Sequence, residues 1–380
     1  MTVPDQTIRF NVPSVEGNEL QYVGEAITSG HTSSSGAFTK RAQELLIDVT
    51  HAKEVLMTTS CTSALELSAM LLDLGPEDTV IVPSFTFTSS ALAFARQGAK
   101  ILFCDIEPLT LGIDPKHLAE LLDDSVKAVV IVHYAGIPCD VGGVREALKD
   151  RPDVVVVEDA AHGLFGSWHG EPMGSLGRFA SLSFHETKNV ICGEGGALLL
   201  NDERDIKRAR VLYDKGTDRM AFFLGQVDKY SWRDNGSSFG LSDVLAAYLV
   251  GQLEQAKVIQ AKRKRVFERY LEGLAPLVER GAQLPHVPDD VDPAYHLFFV
   301  LLPDADRRPE VMGALKERGI NTTFHYVPLH NSEGGHRFAK RETDCPVTIN
   351  VSSRLIRLPF YNNLTEADQD RVIDALLELV

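Results

Sequence analysis

KAVVIVHYAGIPCDVGGVREALKDRPDVVVVEDAAHG, residues 127–163, holds two apolar runs of strand length, KAVVIV at 127–132 and DVVVVE at 153–158, around a helix-compatible stretch at 141–149. Neither run alternates apolar with polar residues, which is the pattern of a strand covered on both faces. The same unit extends in both directions: VLM at 55–57, TVIV at 79–82 and KILFC at 100–104 lie upstream, FASLSF at 179–184 and GALLL at 196–200 downstream. Helical spacing fills 63–74, 88–97 and 115–122, and Asp114 and Asp140 stand where helix N-caps belong. Alternating strands and helices predict an α/β fold with a large, mainly parallel sheet.

Beyond Asp243 the pattern changes. A long helical stretch is expected over 243–279, with the basic run KRKR at 262–265 on its solvated face; YHLFFVLL at 295–302 reads as a strand, and 308–317 and 366–379 as helices. The expected division is a large α/β domain with an N-terminal arm over residues 1–245 and a smaller α+β domain over 246–380. With 380 residues, 44% hydrophobic and 24% charged, the chain has the composition of a folded enzyme-sized protein. A formal charge of -15 argues against nucleic acid as a partner. MTVPDQTIRFNVPSVEG has neither a basic nor an apolar leader region, and there is no apolar stretch long enough to span a membrane, so a cytoplasmic location without membrane attachment is expected. The five cysteines are dispersed and form no CxxC pair, and HExxH is absent, so neither a disulfide framework nor a metal site is expected.

In open α/β sheets ligands bind beyond the carboxyl ends of the strands, which directs attention to three segments. VVVVEDAAHG delivers Glu158, Asp159 and His162 from a strand end. SFHETKNVICGEGG places Ser183, His185 and Lys188 between two strands. TTSCTSALELSAM at 58–70 joins a strand to a helix that opens with hydroxyl residues, whose free amides suit a phosphate, yet it lacks the GxxxxGK[ST] and GxGxxG patterns of ATP and NAD sites. A phosphate cradle, a strand-end Asp to keep a pyridine nitrogen protonated and a lysine able to form a Schiff base together make the minimal kit for pyridoxal 5'-phosphate (PLP).

VEDAAHG at 157–163 followed by SFHETKNVICGEGGALLLND at 183–202 resembles the DegT-type sugar aminotransferases of the aspartate-aminotransferase fold, PLP fold type I. The resemblance runs from IRFNVPSVEGNEL at 8–20 to RLPFYNNLTEAD at 357–368. It implies that Lys188 is the cofactor-linked lysine and Asp159 the partner of the pyridine nitrogen, that His162 lies beside the ring, that Ser183, Thr62 and the Cys61 and Thr62 amides hold the phosphate, and that Phe87 stacks on the pyridine. It also implies a homodimer with shared sites, in which a loop around 228–240 crosses to the neighbouring subunit. Ser238 of GSSFG stands where family members carry an Asn reaching the partner's phosphate. His325 and His330 of FHYVPLH resemble a segment near the substrate, and TSGHTSSSG at 28–36 reads either as a loop over the sugar or as a plain surface turn.

The reaction implied is transamination between L-glutamate and a nucleotide-linked 4-keto-6-deoxy sugar, with HETKN, GQVDKYSWRDNGSS and FHYVPLH similar to the branch acting on dTDP-4-keto-6-deoxyglucose. Three alternatives stand beside it: a C3 ketone or a UDP or GDP sugar as acceptor, a PLP-dependent sugar dehydratase, in which a His replaces the lysine, and a sugar-nucleotide-binding regulatory protein.

Overall fold

The computed structural model describes residues 7–380. Seven strands form the central sheet: β1 Glu54–Thr58, β2 Thr79–Pro83, β3 Lys100–Cys104, β4 Val126–Val132, β5 Val155–Asp159, β6 Phe179–Ser183 and β7 Gly196–Leu200. Their spatial order is β1-β7-β6-β5-β4-β2-β3. The pairs from β3 through β6 are parallel, whereas β7 runs antiparallel to both β6 and β1. An apolar run carries no sign of its direction, so this one reversed strand was not legible in the sequence. The reversal matters because residues 184–195, which carry Lys188, become a compact connection whose ends are tied by Phe184 N–H to Gly195 O at 2.8 Å and Glu186 N–H to Gly193 O at 3.0 Å.

Successive strand residues serve opposite faces, which accounts for the unbroken apolar runs. Leu56, Leu198 and Leu200 pack with the helices Cys61–Leu71 and Glu203–Tyr213 on one face. Val55, Met57, Ala197 and Leu199 pack with Ala37–Thr50 and Asp243–Glu254 on the other. A further cluster gathers Val266, Phe267 and Tyr270 with Phe298, Val300, Ile356 and Leu376, around the antiparallel pair Phe299–Leu301 and Leu355–Arg357.

Three expectations from the sequence are revised. The stretch 243–279 is not one helix but three, Asp243–Glu254, Ala256–Gly273 and Pro276–Glu279. The first buries Leu249, Val250 and Leu253 in the large core, while the second starts there with Ile259 and carries Val266 and Phe267 into the smaller one. A division at residue 245 therefore falls inside a helix that packs with the larger part. Within KRKR, Arg263 is buried, with Nε bonded to Tyr295 O at 2.9 Å and Nη1 to Asn362 Oδ1 at 2.9 Å, so the run is not wholly solvated. In YHLFFVLL only Phe299–Leu301 is strand; just ahead of it, Ala294 and His296 donate to Gly136 O and Ala135 O at 2.7 and 3.0 Å instead.

The pleat of β5 also separates its two carboxylates. Glu158 turns inward, where it accepts from His133 Nε2 at 3.0 Å, from Leu176 N at 2.9 Å and from Gly174 N. His133 Nδ1 accepts from Cys139 N, which leaves its proton on Nε2 for Glu158. The carboxylate is thus a structural tie with all its neighbours satisfied. Glu158→Ala strands three buried donors at about 1–3 kcal/mol each, so urea unfolding should give a loss of at least about 3 kcal/mol; a loss under about 1 kcal/mol would show that water replaces the carboxylate.

Candidate active site

Asp159, the next residue, faces the other way, at the carboxyl end of β5. It is buried, and accepts from Ser90 Oγ at 2.6 Å and from Ala161 N at 3.2 Å. Ser90 lies in the first turn of the helix Ser89–Ala95 and is itself bonded to Thr86 Oγ1 at 2.8 Å. Its neighbour Ser89 bonds Thr62 Oγ1 at 2.7 Å, so one helix start braces both the carboxylate and the hydroxyl of the adjacent cradle.

That cradle is the start of Cys61–Leu71. Ser60 caps it by accepting from Ser63 N at 3.1 Å, while the Cys61 and Thr62 amides have no acceptor among the described residues. Strand β7 passes directly beneath: a Cβ on Gly196 would lie 2.3 Å from Ser60 C and 2.5 Å from Cys61 N, so only glycine permits the approach. Ser183, ending β6, completes the polar wall.

Lys188 rises from the 184–195 connection into a cavity of 440 Å³. Its Nζ has no hydrogen-bond partner among the described residues. Burial is the main cause that lowers its pKa to about 8, with Arg357 adding to the effect and Asp159 opposing it. Burial likewise pushes the Cys61 thiol up to about 12. Desolvation, reinforced by the Lys188 charge, holds His162 well below the ordinary histidine range, so its ring is neutral. That ring stacks on His296 at 4.0 Å, and His162 Nδ1 is buried without a partner.

Of the residues singled out in the sequence, Lys188, Asp159, His162, Ser183, Cys61 and Thr62 line this one cavity, together with Phe87 and His325. Phe87 is 62% exposed, an aromatic face held at the opening. His185 lines it too, whereas Glu158, His330 and Ser238 are not brought into it. His330 bonds Ser84 Oγ at 2.6 Å and lines a separate surface hollow with Phe103 and His336. Ser238 is exposed and bridges to Asp214, outside this chain's own cavity. The loop at 28–36 is likewise not part of the lining.

Several lining residues were not found from the sequence. His296, Tyr326 and Arg357 come from the smaller part of the chain, more than 100 residues after Lys188. Asn189, adjacent to the lysine, ties His296 in place through Oδ1 to Nδ1 at 2.9 Å. Asn189 was visible in the TKN triplet, but the fold alone supplied its partner.

The donor set fits PLP. Orphan amides at a helix start with two hydroxyls suit a dianionic phosphate, a buried carboxylate suits a protonated pyridine nitrogen, a partnerless amine of lowered pKa suits a carbonyl, and an orphan buried nitrogen on a neutral imidazole suits a polar ring substituent.

Comparison with known proteins gives the same answer. Residues 13–377 match the DegT/DnrJ/EryC1/StrS aminotransferase family. The spore coat polysaccharide biosynthesis protein SpsC of Bacillus subtilis (strain 168) is 31% identical over 379 residues, spanning 98% of this chain and 96% of SpsC. Among solved structures, the aminotransferase TlmJ from Streptoalloteichus hindustanus superposes with a TM-score of 0.88 at 30% identity over 98% of both chains. Spr1654 from Streptococcus pneumoniae in its PLP form gives a TM-score of 0.89 at 25% identity, over 99% of this chain and 100% of that one. The chain therefore belongs to the DegT/DnrJ/EryC1/StrS aminotransferase family and is a PLP-dependent sugar aminotransferase.

Proposed function

We propose that the protein transfers the amino group of L-glutamate to the C4 ketone of dTDP-4-keto-6-deoxyglucose, giving dTDP-4-amino-4,6-dideoxygalactose and 2-oxoglutarate. The observation that carries the chemistry is Lys188, an amine of lowered pKa sharing a cavity with the buried Asp159 carboxylate. The choice of acceptor is supported by HETKN, GQVDKYSWRDNGSS and FHYVPLH, which are similar to the C4-aminating branch. Similarity to SpsC, a polysaccharide biosynthesis protein, supports a polysaccharide as the destination of the amino sugar.

PLP, when bound, supplies an electron sink that lets a proton leave the carbon bearing the transferred nitrogen. In this reading Lys188 Nζ would hold the cofactor, and its neutral amine would take the proton from the donor's α carbon. In the second half-reaction it returns a proton to C4 of the sugar. Asp159, fixed by Ser90 Oγ and Ala161 N, holds a proton on the pyridine nitrogen. The Cys61 and Thr62 amides, with the Thr62 and Ser183 hydroxyls, would bind the phosphate, and Phe87 and the neutral His162, which line the same cavity, would hold the ring.

We also infer a homodimer. The excursion between Asp214 and Ser238 exposes Phe223, Leu224, Tyr230 and, at 82%, Trp232, an apolar surface of the kind a subunit contact covers. Crossing to a second copy would bring Ser238 toward that copy's phosphate cradle.

Three measurements test these readings. With the cofactor's visible absorbance as probe, glutamate should bleach the band and dTDP-4-keto-6-deoxyglucose should restore it; bleaching without restoration by this sugar, but with restoration by a C3-keto or UDP sugar, would change the acceptor. Because Lys188 acts as the free amine, covalent capture of PLP by the apoprotein should rise with pH, reach half its maximum near the pKa of about 8, and fall about tenfold per unit below it. Lys188→Ala should capture none. In sedimentation the protein should run as a dimer, and Trp232→Ala combined with Phe223→Ser should shift it toward monomer and weaken PLP binding; a parent that sediments as a monomer would refute the shared site.

A further inference from the structure

His296 offers the cavity a hydrogen-bond acceptor that nothing in the chain uses. The residue is held from three directions: its amide donates to Ala135 O at 3.0 Å, its carbonyl accepts from Arg263 Nη2, and its ring stacks on His162 with centroids 4.0 Å apart. The ring's proton is fixed as well. Asn189 Nδ2 donates to Ala294 O at 2.5 Å, and the Asn189 oxygen, 2.9 Å from His296 Nδ1, can only accept. Nδ1 therefore carries the hydrogen and Nε2 a lone pair. Burial, reinforced by His162 and by the charges of Lys188, Arg263 and Arg357, holds the ring well below the ordinary histidine range, so the lone pair stays free of a proton. Among the described residues Nε2 has no hydrogen-bond partner, and it is not a sealed atom either, so it opens onto the cavity that His296 lines. Neighbouring groups are committed elsewhere. Asp159 and His162 serve the cofactor in the reading above, and His325 Nε2 accepts from Nη1 of Arg357, a guanidinium with no Asp or Glu partner among the described residues. The Ser183 and Tyr326 hydroxyls in the lining can donate as readily as accept, whereas His296 Nε2 can only accept.

We propose that His296 Nε2 accepts a hydrogen bond from the sugar hydroxyl beside the ketone, the C3 hydroxyl of a 4-keto-6-deoxy sugar, and so selects the keto sugar. The inference rests on the proposed sugar substrate and names the part of it that the cavity reads. Of the two reactants, glutamate offers carboxylates, which only accept, and an amino group that it gives up in the reaction. The sugar offers hydroxyls, which can donate. Position selects among them. Asn189, which holds the His296 ring, follows Lys188 directly in the chain, and the Lys188 charge reaches that ring, so Nε2 and the amine that moves protons serve one part of the cavity. In a 4-keto-6-deoxy sugar the carbons flanking C4 are C3, which carries a hydroxyl, and C5, which carries a methyl group and the ring oxygen. The C3 hydroxyl is thus the one donor next to the reacting carbon. A buried acceptor left bare disfavours a ligand that lacks this donor, so the contact discriminates against sugars already deoxygenated at C3.

The test titrates the aminated form of the enzyme with dTDP-4-keto-6-deoxyglucose and with its 3-deoxy counterpart, reading the apparent Kd from the return of cofactor absorbance. In the parent the 3-deoxy sugar should bind about tenfold more weakly. His296→Phe keeps a flat ring on His162 and has no lone pair; in this variant the two sugars should bind within about twofold of each other, because the group that told them apart is gone. A residue that only shaped the pocket would weaken both sugars alike and leave the tenfold ratio in place, which overturns the proposal. A parent that binds both sugars equally well overturns it too. Should His296→Phe lose its fold or its cofactor, the parent decides with a sugar methylated at O3, which keeps the oxygen and loses the hydrogen. That sugar should bind as poorly as the 3-deoxy one, and binding as tight as that of the hydroxyl sugar shows that the oxygen accepts, which excludes Nε2 as its partner. If dTDP-4-keto-6-deoxyglucose restores no absorbance and another keto sugar does, the proposed substrate fails by itself; the His296 assignment is then judged by the same comparison at the hydroxyl beside that sugar's ketone.

Discussion

Burial draws the Lys188 amine toward its neutral form, while the Asp159 carboxylate in the same cavity works to keep it charged. The balance leaves an amine that titrates near physiological pH, and the fold is arranged to maintain it. The lysine must stay buried in the cavity without a hydrogen-bond partner, and it is carried on a connection pinned at both ends by strands β6 and β7. The carboxylate must stay where it is without being consumed by an internal partner, so it receives only two bonds, from Ser90 and Ala161.

The contrast with other buried carboxylates makes the division of labour clear. Asp105 accepts from the amides of Val347 and Thr348 and the Thr348 hydroxyl, and Asp243 does the same with Phe38 and Thr39. Each closes a helix start, and its bonding capacity is used within the chain. Glu158, one residue from Asp159, likewise ties three donors into the core. These groups hold the sheet and its helices together. Asp159, by contrast, keeps accepting capacity, as Arg357 keeps a donor without a partner, and both line the cavity that contains Lys188.

The cavity is also a meeting of two parts of the chain. The large sheet supplies the lysine, the strand-end carboxylate and the helix start, whereas His296, His325, Tyr326 and Arg357 come from the smaller α+β part. Buried Arg263 strengthens the junction: it lies on the helix Ala256–Gly273 and grips the carbonyls of Tyr295 and His296, so the imidazole stacked under His162 is fixed from the far side. A basic run that looks like a solvated face is therefore partly a clamp on the site.

Local sequence determined the elements of the large sheet, because strands buried on both faces must be written as unbroken apolar runs, and the strand-end position of Asp159 followed from the same runs. The hydroxyl-rich helix start at 58–70, the strand-end Asp159 and Lys188 together pointed to PLP, while the roles of His162 and Ser183 came from the family resemblance. The sequence did not reveal the reversed strand β7, the break of the 243–279 helix at Gln255, or the departure of His330 from the cavity. Direction, bending and facing depend on which core each segment packs into, and that is settled by contacts between residues far apart in the chain. Arg357 is the clearest case. As a letter in RLPFYNNLTEAD it is an ordinary arginine, and only the tertiary structure shows it desolvated beside Lys188 with no anion of its own.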